Sequence, residues 1–585
     1  MRFCFLLLLL VSCALTDAAA QTEVQIDPEG LDPDFVRQLE RELGDEPKPA
    51  SVFEARRQAD RAAKRISNFL NSQGYFRAAV ETTVIAGPPI EPRLRVQPGP
   101  KFSIGAVGIE YPETPPDPET GAKLAANLPI RVSQPALPDA VLSGERDLVV
   151  RLKEEGYAFA ASDPPVVLGD ADEATIDVSY ILKPGRRVKF GDIFYEGEVR
   201  TRKAFTERLV PFEEGEIYSP SQLGELNRRL SETRLYTVSS ASLSPEARES
   251  AELGEVHDVV LRLEERDRNT IAAGGTFSTS EGPGAIVEYQ RRNLTRRGDT
   301  LRVITTLAQL EQSVGGEWTL PHLFAYGKSL TFNALIGREN TDAFERATLL
   351  LSAAYNLTRN ENQAFIFGVA SETVRETDLS GTRTLQTISA TGTAQLDYSN
   401  DLLDPTEGWR ANVRLEPGTV FGDSQVSFVS ALVDASHYWK FGPEDRGFVW
   451  ANRGRLGSVV GAATADLPTS RRFFAGGGGS VRGFGFQEIG PRNIDGDPLG
   501  GRGLFEVSSE LRWRYNQTFG FAAFVEGASV TDSSFAGVDD FRIGAGAGIR
   551  YYTPIGPIRF DVATPLNPQP GDSAVQVYIS IGQAF

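Results

Sequence analysis

The chain has 585 residues, 41% of them hydrophobic, with Lys+Arg 60 against Asp+Glu 78 and a formal net charge of -18. Such a length exceeds one hydrophobic core, and the 57 glycines and 35 prolines are spread over many turns rather than gathered in one tract, so several folded domains are expected. The acidic balance, with no cluster of cations, excludes nucleic acid, whose phosphates require clustered Lys and Arg.

Met1-Arg2-Phe3, the apolar run Cys4 to Leu15 and Ala18-Ala19-Ala20 before Gln21 have the charge, the apolar stretch and the small-residue cleavage site of a secretory signal peptide. Residues 1–20 are therefore expected to be removed on export. Leu10-Val11-Ser12-Cys13 also resembles a lipoprotein cleavage box, but cutting there leaves hardly any room for a charged start and an apolar core, so ordinary cleavage is favoured. Both cysteines, Cys4 and Cys13, lie in this leader, and the exported chain needs no disulfide in an oxidising compartment. Beyond the leader no apolar run reaches ~18 residues, which leaves a closed β-barrel as the way to cross a bilayer with every backbone group paired.

From Val24 to about Glu265 a helix, helix, strand, strand theme recurs with a period of roughly eighty residues, a length suited to small α+β modules. In the first module Asp32-Pro33-Asp34 opens a short helix through Phe35, Leu39 and Leu43 to Gly44, with cap, first-turn proline and terminal glycine in their favoured places. The capping box Ser51-Val52-Phe53-Glu54 starts a second helix with an apolar stripe at Phe53, Ala59, Ala62, Ile66, Phe69 and Leu70, ending at Gly74-Tyr75-Phe76. The matching helix of the second module ends at Gly156-Tyr157-Ala158. In the third, Ser219-Pro220-Ser221-Gln222 caps a helix through Leu223, Leu226 and Leu230 to Leu235-Tyr236. Val96-Gln97-Pro98-Gly99 and Leu182-Lys183-Pro184-Gly185 are turns at the joints. These features set boundaries at 21–100, 101–185 and 186–265.

From 266 to 585 strand alternation replaces helical periodicity. Ile388, Ala390, Gly392, Ala394, Leu396 and Tyr398 form one apolar face, and Thr387, Ser389, Thr391, Thr393, Gln395 and Asp397 the polar one. Phe505, Val507, Ser509, Leu511, Trp513 and Tyr515 alternate with Leu504, Glu506, Ser508, Glu510, Arg512 and Arg514. A soluble sandwich would bury the apolar faces, so a lipid-bathed barrel with a charged interior is expected. Trp409, Trp513, Tyr551 and Tyr552 lie near strand ends, where interfacial aromatics belong. At ~20 residues per strand and loop the region holds on the order of sixteen strands.

The most specific segment is Gly476-Gly477-Gly478-Gly479-Ser480-Val481-Arg482-Gly483-Phe484. No Lys-Ser or Lys-Thr follows the glycines, which excludes a phosphate loop, and Gly544-Ala545-Gly546-Ala547-Gly548 lacks the third glycine of a dinucleotide site, reading instead as small residues on one strand face. His257, His322 and His437 have no metal-ligand spacing, Asp170 and Asp172 lack the rest of a calcium loop, and no G-x-S-x-G elbow occurs. No catalytic residue, cofactor or metal is expected, and the chain does not read as an enzyme. A terminal strand with Val575, Val577, Ile579 and Ile581 on one face is interrupted by Gly582, and the first barrel strand, near Ile271 to Thr279, carries Gly274-Gly275. Both sides of the closing seam are therefore expected to pair weakly.

Taken together, these features resemble the POTRA-barrel family of outer-membrane assembly factors: three α+β POTRA repeats followed by a transmembrane antiparallel β-barrel of about sixteen strands. Within it the chain is most similar to the outer-membrane subunit of the translocation and assembly module, because three repeats match that subunit better than the five of the main assembly factor or the two of a two-partner secretion transporter. The Val481-Arg482-Gly483-Phe484 motif is similar to the tip of the family's sixth extracellular loop, folded back into the lumen. Asp397 to Asp401 with Asp404 to Trp409 looks like its strand-turn-strand signature. Tyr552 to Asp561 resembles the segment before its final strands, and Ile579 to Phe585 its terminal strand signal.

The resemblance implies that Glu510 and Glu526 hold Arg482, although the family commonly has aspartate where Glu526 stands. A guanidinium in an enclosed lumen needs such planar acceptors. It also implies insertion of client outer-membrane proteins, such as autotransporters, through a weak lateral seam marked by Gly274, Gly275 and Gly582. The barrel would lie in the bacterial outer membrane in contact with its lipids, with the repeats in the periplasm. An inner-membrane-anchored, envelope-spanning subunit (TamB-like) would dock there. The alternative is a two-partner secretion transporter moving one dedicated substrate through the lumen.

Overall fold

The structure is a computed structural model. It describes residues 24–27, 31–43, 48–87, 89–197, 199–250, 254–278, 282–341, 344–378, 381–443, 447–494, 496–538, 540–553 and 556–585. The expected signal peptide with Cys4 and Cys13 lies outside the described residues, as do Gly44, Thr279, Pro554 and Ile555. The chain divides into two compact units, one of 1–194, 211–225 and 241–260, the other of 195–210, 226–240 and 261–585.

In the first unit, strand Gln25–Asp27, helices Pro33–Leu43 and Val52–Ser72 and strands Ala79–Ile85 and Glu91–Gln97 follow one another. The last strand takes the middle of the sheet, parallel to the first and antiparallel to Ala79–Ile85. Leu39, Ala59, Ala62, Ile66, Leu70 and Leu94 pack between helices and sheet. Ser51 Oγ accepts the Glu54 N–H at 3.2 Å, while the Glu54 carboxylate reaches back to the Ala50 N–H at 2.8 Å, so the capping box closes one residue earlier than its usual form. Phe53 is 73% exposed instead of lying on the buried stripe. At 100° per residue it points about 200° away from Ala55, the first buried position.

The same order recurs in Ser103–Glu110, Pro118–Ala126, Pro138–Glu154, Ala161–Asp170 and Thr175–Lys183, again with the last strand central. Gly99 and Gly185, at the two predicted joints, have φ of +69° and +73°, a conformation that glycine adopts without steric cost. A third set, Lys189–Glu196, Lys203–Thr206, Pro220–Glu232, Tyr236–Ser250 and Gly254–Glu265, forms a third three-stranded sheet whose residues are shared between the two units.

Sixteen strands, from Asn269–Ser278 to Gln576–Ile581, close into one antiparallel barrel in chain order. Its faces are inverted relative to a soluble protein: Val507, Leu511 and Trp513 are exposed outward, whereas Glu506, Glu510 and Arg512 of the same strand are buried inward. Thr387 and Ser389 are likewise inside and Ile388 outside. Such a cylinder presents hydrocarbon-compatible side chains to its surroundings and leaves no unpaired edge except at its seam, as a transmembrane barrel requires. Trp409, Trp513 and Tyr551 are exposed at strand ends. Tyr552 is not: it shares the inward parity of the buried Arg550, and the Arg514 guanidinium lies 4.2 Å from its ring centre.

Candidate functional site

The segment 461–502 joins strands Phe448–Val460 and Gly503–Arg514 and folds into the barrel interior. Its glycines make the fold-back possible. Gly476, Gly477 and Gly483 have φ of +105°, +96° and +106°, and a Cβ on Gly478 would sit 2.9 Å from the Tyr578 ring. Val481 and Phe484 are buried with Leu504, Ala528 and Val530 of the wall. Nearer its start, Thr469 donates through N–H and Oγ1 to Glu376 at 2.9 and 2.7 Å, and Arg471 pairs with Glu372 and Glu416 at 3.0 Å each.

Arg482 is fully buried (0% exposed), yet each of its three guanidinium nitrogens meets a carboxylate. Nε and Nη2 donate to Glu526 Oε1 at 3.0 and 2.5 Å, Nη2 also to Glu510 Oε2 at 2.9 Å, and Nη1 to Asp561 Oδ2 at 2.8 Å. Its backbone N–H donates to Glu526 Oε2 at 2.7 Å, so that carboxylate grips side chain and main chain together. The guanidinium carbon lies 3.4 Å from the centre of the Phe524 ring. Fork-shaped donation to carboxylates combined with stacking is the pattern that arginine supports and lysine does not.

The two sequence-predicted partners, Glu510 and Glu526, thus meet Arg482, and the longer side chain at 526 is accommodated by accepting from both Arg482 N–H and its guanidinium. Sequence reasoning missed the third carboxylate, Asp561, and the cations that complete the cluster. Arg550 Nη1 donates to Asp561 at 2.5 Å and Nη2 to Glu510 at 3.2 Å, and Arg512 Nε donates to Glu510 at 2.7 Å. Arg559 Nη1 stands 3.8 Å from Asp561. Four guanidiniums therefore surround three carboxylates, an arrangement in which each buried charge has an opposite neighbour. Alternation along Gly556–Pro565, which turns Arg559 and Asp561 inward, was the signal available for these residues.

The run Gly544-Ala545-Gly546-Ala547-Gly548 acquires a purpose here. A Cβ on Gly544 would overlap the Arg482 carbonyl oxygen, one on Gly546 the Phe524 ring, and one on Gly548 the Asp561 carboxylate. The glycines face inward and clear the space in which the loop tip docks.

The last strand also touches the tip. Tyr578 OH donates to the Phe484 carbonyl at 3.1 Å and accepts the Gly483 N–H at 3.3 Å. Among the described residues that strand closes the barrel through Phe277 opposite Ile579 and Ser278 opposite Tyr578, whereas the first strand pairs with its other neighbour from Asn269 to Ser278. Gly274 and Gly275 lie in the stretch without a partner on the seam side. The last strand stops at Ile581, and Gly582 has φ +86°, so Gln583 to Phe585 leave the wall instead of continuing the terminal strand. Phe585 lies inside, packed against Tyr438, Val449 and Ala451, with Arg512 Nη2 donating to its carbonyl at 3.1 Å.

The arrangement offers positioning of the loop tip, and no cluster of metal-ligating side chains occurs among the described residues. Comparison with known proteins agrees with the architecture. The outer membrane protein assembly factor BamA of Nitratidesulfovibrio vulgaris is 24% identical over 490 residues, covering 81% of this chain and 60% of that protein, so the chain spans about 60% of that relative's length. BamA of Neisseria meningitidis serogroup B is 23% identical over 596 residues, with 89% and 72% covered. The crystal structure of BamA from Haemophilus ducreyi lacking POTRA domains 1-3 superposes with a TM-score of 0.67 at 20% identity, covering 82% of this chain and 99% of that one, which establishes the shared fold. Residues 293–585 match the Omp85 superfamily domain, and the chain belongs to that superfamily.

Proposed function

We propose that this chain is an outer-membrane protein assembly factor that admits client strands at the junction of its first and last barrel strands. The observation that carries this reading is that, among the described residues, Asn269 to Thr276 of the first strand pair with the second strand and not with the last, which meets the first through Phe277 with Ile579 and Ser278 with Tyr578. Unpaired backbone is costly in hydrocarbon, so an edge already lacking a partner is where an incoming strand lowers the energy of both. The similarity to assembly factors over 81% and 89% of the chain supports the same reading. The Arg482 cluster holds the loop tip against wall strands Gly503–Arg514, Phe519–Thr531 and Gly556–Pro565 and, through Tyr578, against the last strand itself.

The three repeats between Val24 and Glu265 support the narrower assignment to the outer-membrane subunit of a translocation and assembly module. In that role they lie in the periplasm and receive an inner-membrane-anchored, envelope-spanning partner, and clients such as autotransporters and surrounding lipids meet the barrel. Reconstitution of the purified full chain into lipid vesicles with a labelled outer-membrane client tests the activity. Accelerated appearance of protease-resistant, membrane-inserted client over empty vesicles is expected. Passage of a soluble substrate into the vesicle without inserted client would overturn the proposal in favour of a secretion pore.

A further inference from the structure

The turn 398–407 joins the eighth and ninth barrel strands, Gly381–Asp397 and Gly408–Gly422. In a closed cylinder of sixteen strands that position lies opposite the seam. The turn nevertheless reaches the segment that follows the last strand: Gln583 N–H donates to the Leu403 carbonyl at 3.1 Å, and Gln583 Nε2 donates to Asp404 Oδ1 at 2.8 Å. From the wall, Arg550 Nε donates to Gln583 Oε1 at 3.1 Å. The turn is itself stiffened, with Asn400 Oδ1 accepting the Thr406 N–H at 3.0 Å and Asp401 Oδ1 accepting those of Leu403 and Asp404 at 2.8 Å each.

This grip begins where a longer seam would run. Phe277 faces Ile579, so continuing the same antiparallel register would put Gly275 opposite Ile581 and Gly274 opposite Gly582. Those pairs are not among the formed ones, and past Gly582 the chain turns inward toward Leu403. The segment is not sealed in place. A cavity of about 440 Å³, lined by Asp397, Arg410, Asp434, Tyr438, Arg453 and Phe585 among others, borders it, and the buried Tyr438 hydroxyl there has no hydrogen-bond partner among the described residues.

We propose that Leu403 and Asp404 form a latch that holds Gln583 across the lumen and thereby keeps the lower part of the seam open; release of Gln583 lets the last strand extend its pairing along the first and close it. The inference rests on the seam reading above and names its regulation by this chain's own residues.

The test uses the full chain in native membranes, in the absence of client, with Gly275→Cys and Ile581→Cys. A Cβ on Gly275 meets nothing nearer than the Gly284 carbonyl at 3.5 Å, so the first of these is tolerated sterically. Oxidative cross-linking of this pair should be slight in the latched parent and should rise about fivefold per hydrogen bond lost when Asp404→Ala or Gln583→Ala is added. Gly582→Val provides an independent arm. A side chain there meets only Leu403, at 3.9 Å, so the substitution acts through the positive φ that a β-branched residue resists, and it should raise the yield in the same way. Yields are read on the heat-modifiable folded band, so only barrels that have formed are counted. Equal cross-linking in parent and in all three variants would overturn the latch. If cross-linking changes as expected but client assembly does not depend on it, the latch stands and the assembly reading falls.

Discussion

Replacing Arg482 with alanine removes four side-chain hydrogen bonds, two to Glu526 and one each to Glu510 and Asp561, together with the stack on Phe524. The damage is uneven. Glu510 keeps Arg512 and Arg550, and Asp561 keeps Arg550 and Arg559. Among the described residues the hydrogen bonds to Glu526 come from Arg482, so this carboxylate, 2% exposed, keeps the backbone N–H alone. Leaving a buried charge without its partner costs roughly 3–5 kcal/mol. At 1.4 kcal/mol per tenfold, docking of the loop tip weakens by about 10²–10⁴. Since the barrel ladders do not pass through the loop, the expected result is an undocked loop on a folded barrel, seen as new protease cleavage within 472–493 while heat-modifiable mobility is retained. Adding Glu526→Gln removes the stranded charge and should recover part of the protection; Arg482→Lys should fall between parent and alanine, because one ammonium cannot serve three carboxylates. Unchanged protection in Arg482→Ala, or no recovery with Glu526→Gln, would refute the reasoning.

Gly544→Val alters no charge but places a side chain against the Arg482 carbonyl, and the same proteolysis should show the loop displaced to a degree similar to Arg482→Ala. In the turn between strands Glu311–Leu320 and Lys328–Asn340, burial lowers the His322 pKa to about 4, with Arg229 and Arg208 lowering and Glu232 raising it. The folded turn takes up a proton less readily than the unfolded chain, so its stability is constant above the ordinary histidine value, about 6.5, and is lost as pH falls from there through about 4. Amide exchange at Gly327, whose N–H donates to His322 Nδ1 at 3.1 Å, should accelerate over that window, and His322→Gln should abolish the dependence. Asp117 caps helix Pro118–Ala126, accepting the N–H groups of Glu119 and Thr120 at 3.1 and 3.0 Å and the Tyr157 hydroxyl at 2.9 Å. Asp117→Ala should cost about 1–2 kcal/mol, read as faster amide exchange across that helix in the full chain.

Much of this architecture was legible in the residues because its signals are periodic. The alternation of Phe505, Val507 and Leu511 with Glu506, Glu510 and Arg512 states which face meets lipid, and the structure places them so. The sixteen strands follow from the length of the region divided by the span of a bilayer. What periodicity does not encode is which inward charges share one point in space. Asp561 and Arg550 meet in the Arg482 cluster through strand register and through how far a loop of 461–502 folds back. Phe53 shows a limit of another kind, since an apolar residue in the first turn of a helix is not thereby on its buried stripe. At the end of the last strand, Gly582 was recognisable as an interruption, yet the inward course of Gln583 depends on Leu403 and on Asp404, which is 179 residues away in sequence.

The central claim is that the junction of first and last strands must part for assembly. A reversible disulfide introduced by Phe277→Cys and Ile579→Cys, at a pair that faces across the seam, tests it in reconstituted vesicles with a labelled client. Oxidised barrels should insert no more client than empty vesicles, and reduction of the same sample should restore insertion. Equal insertion by oxidised and reduced barrels would contradict the account.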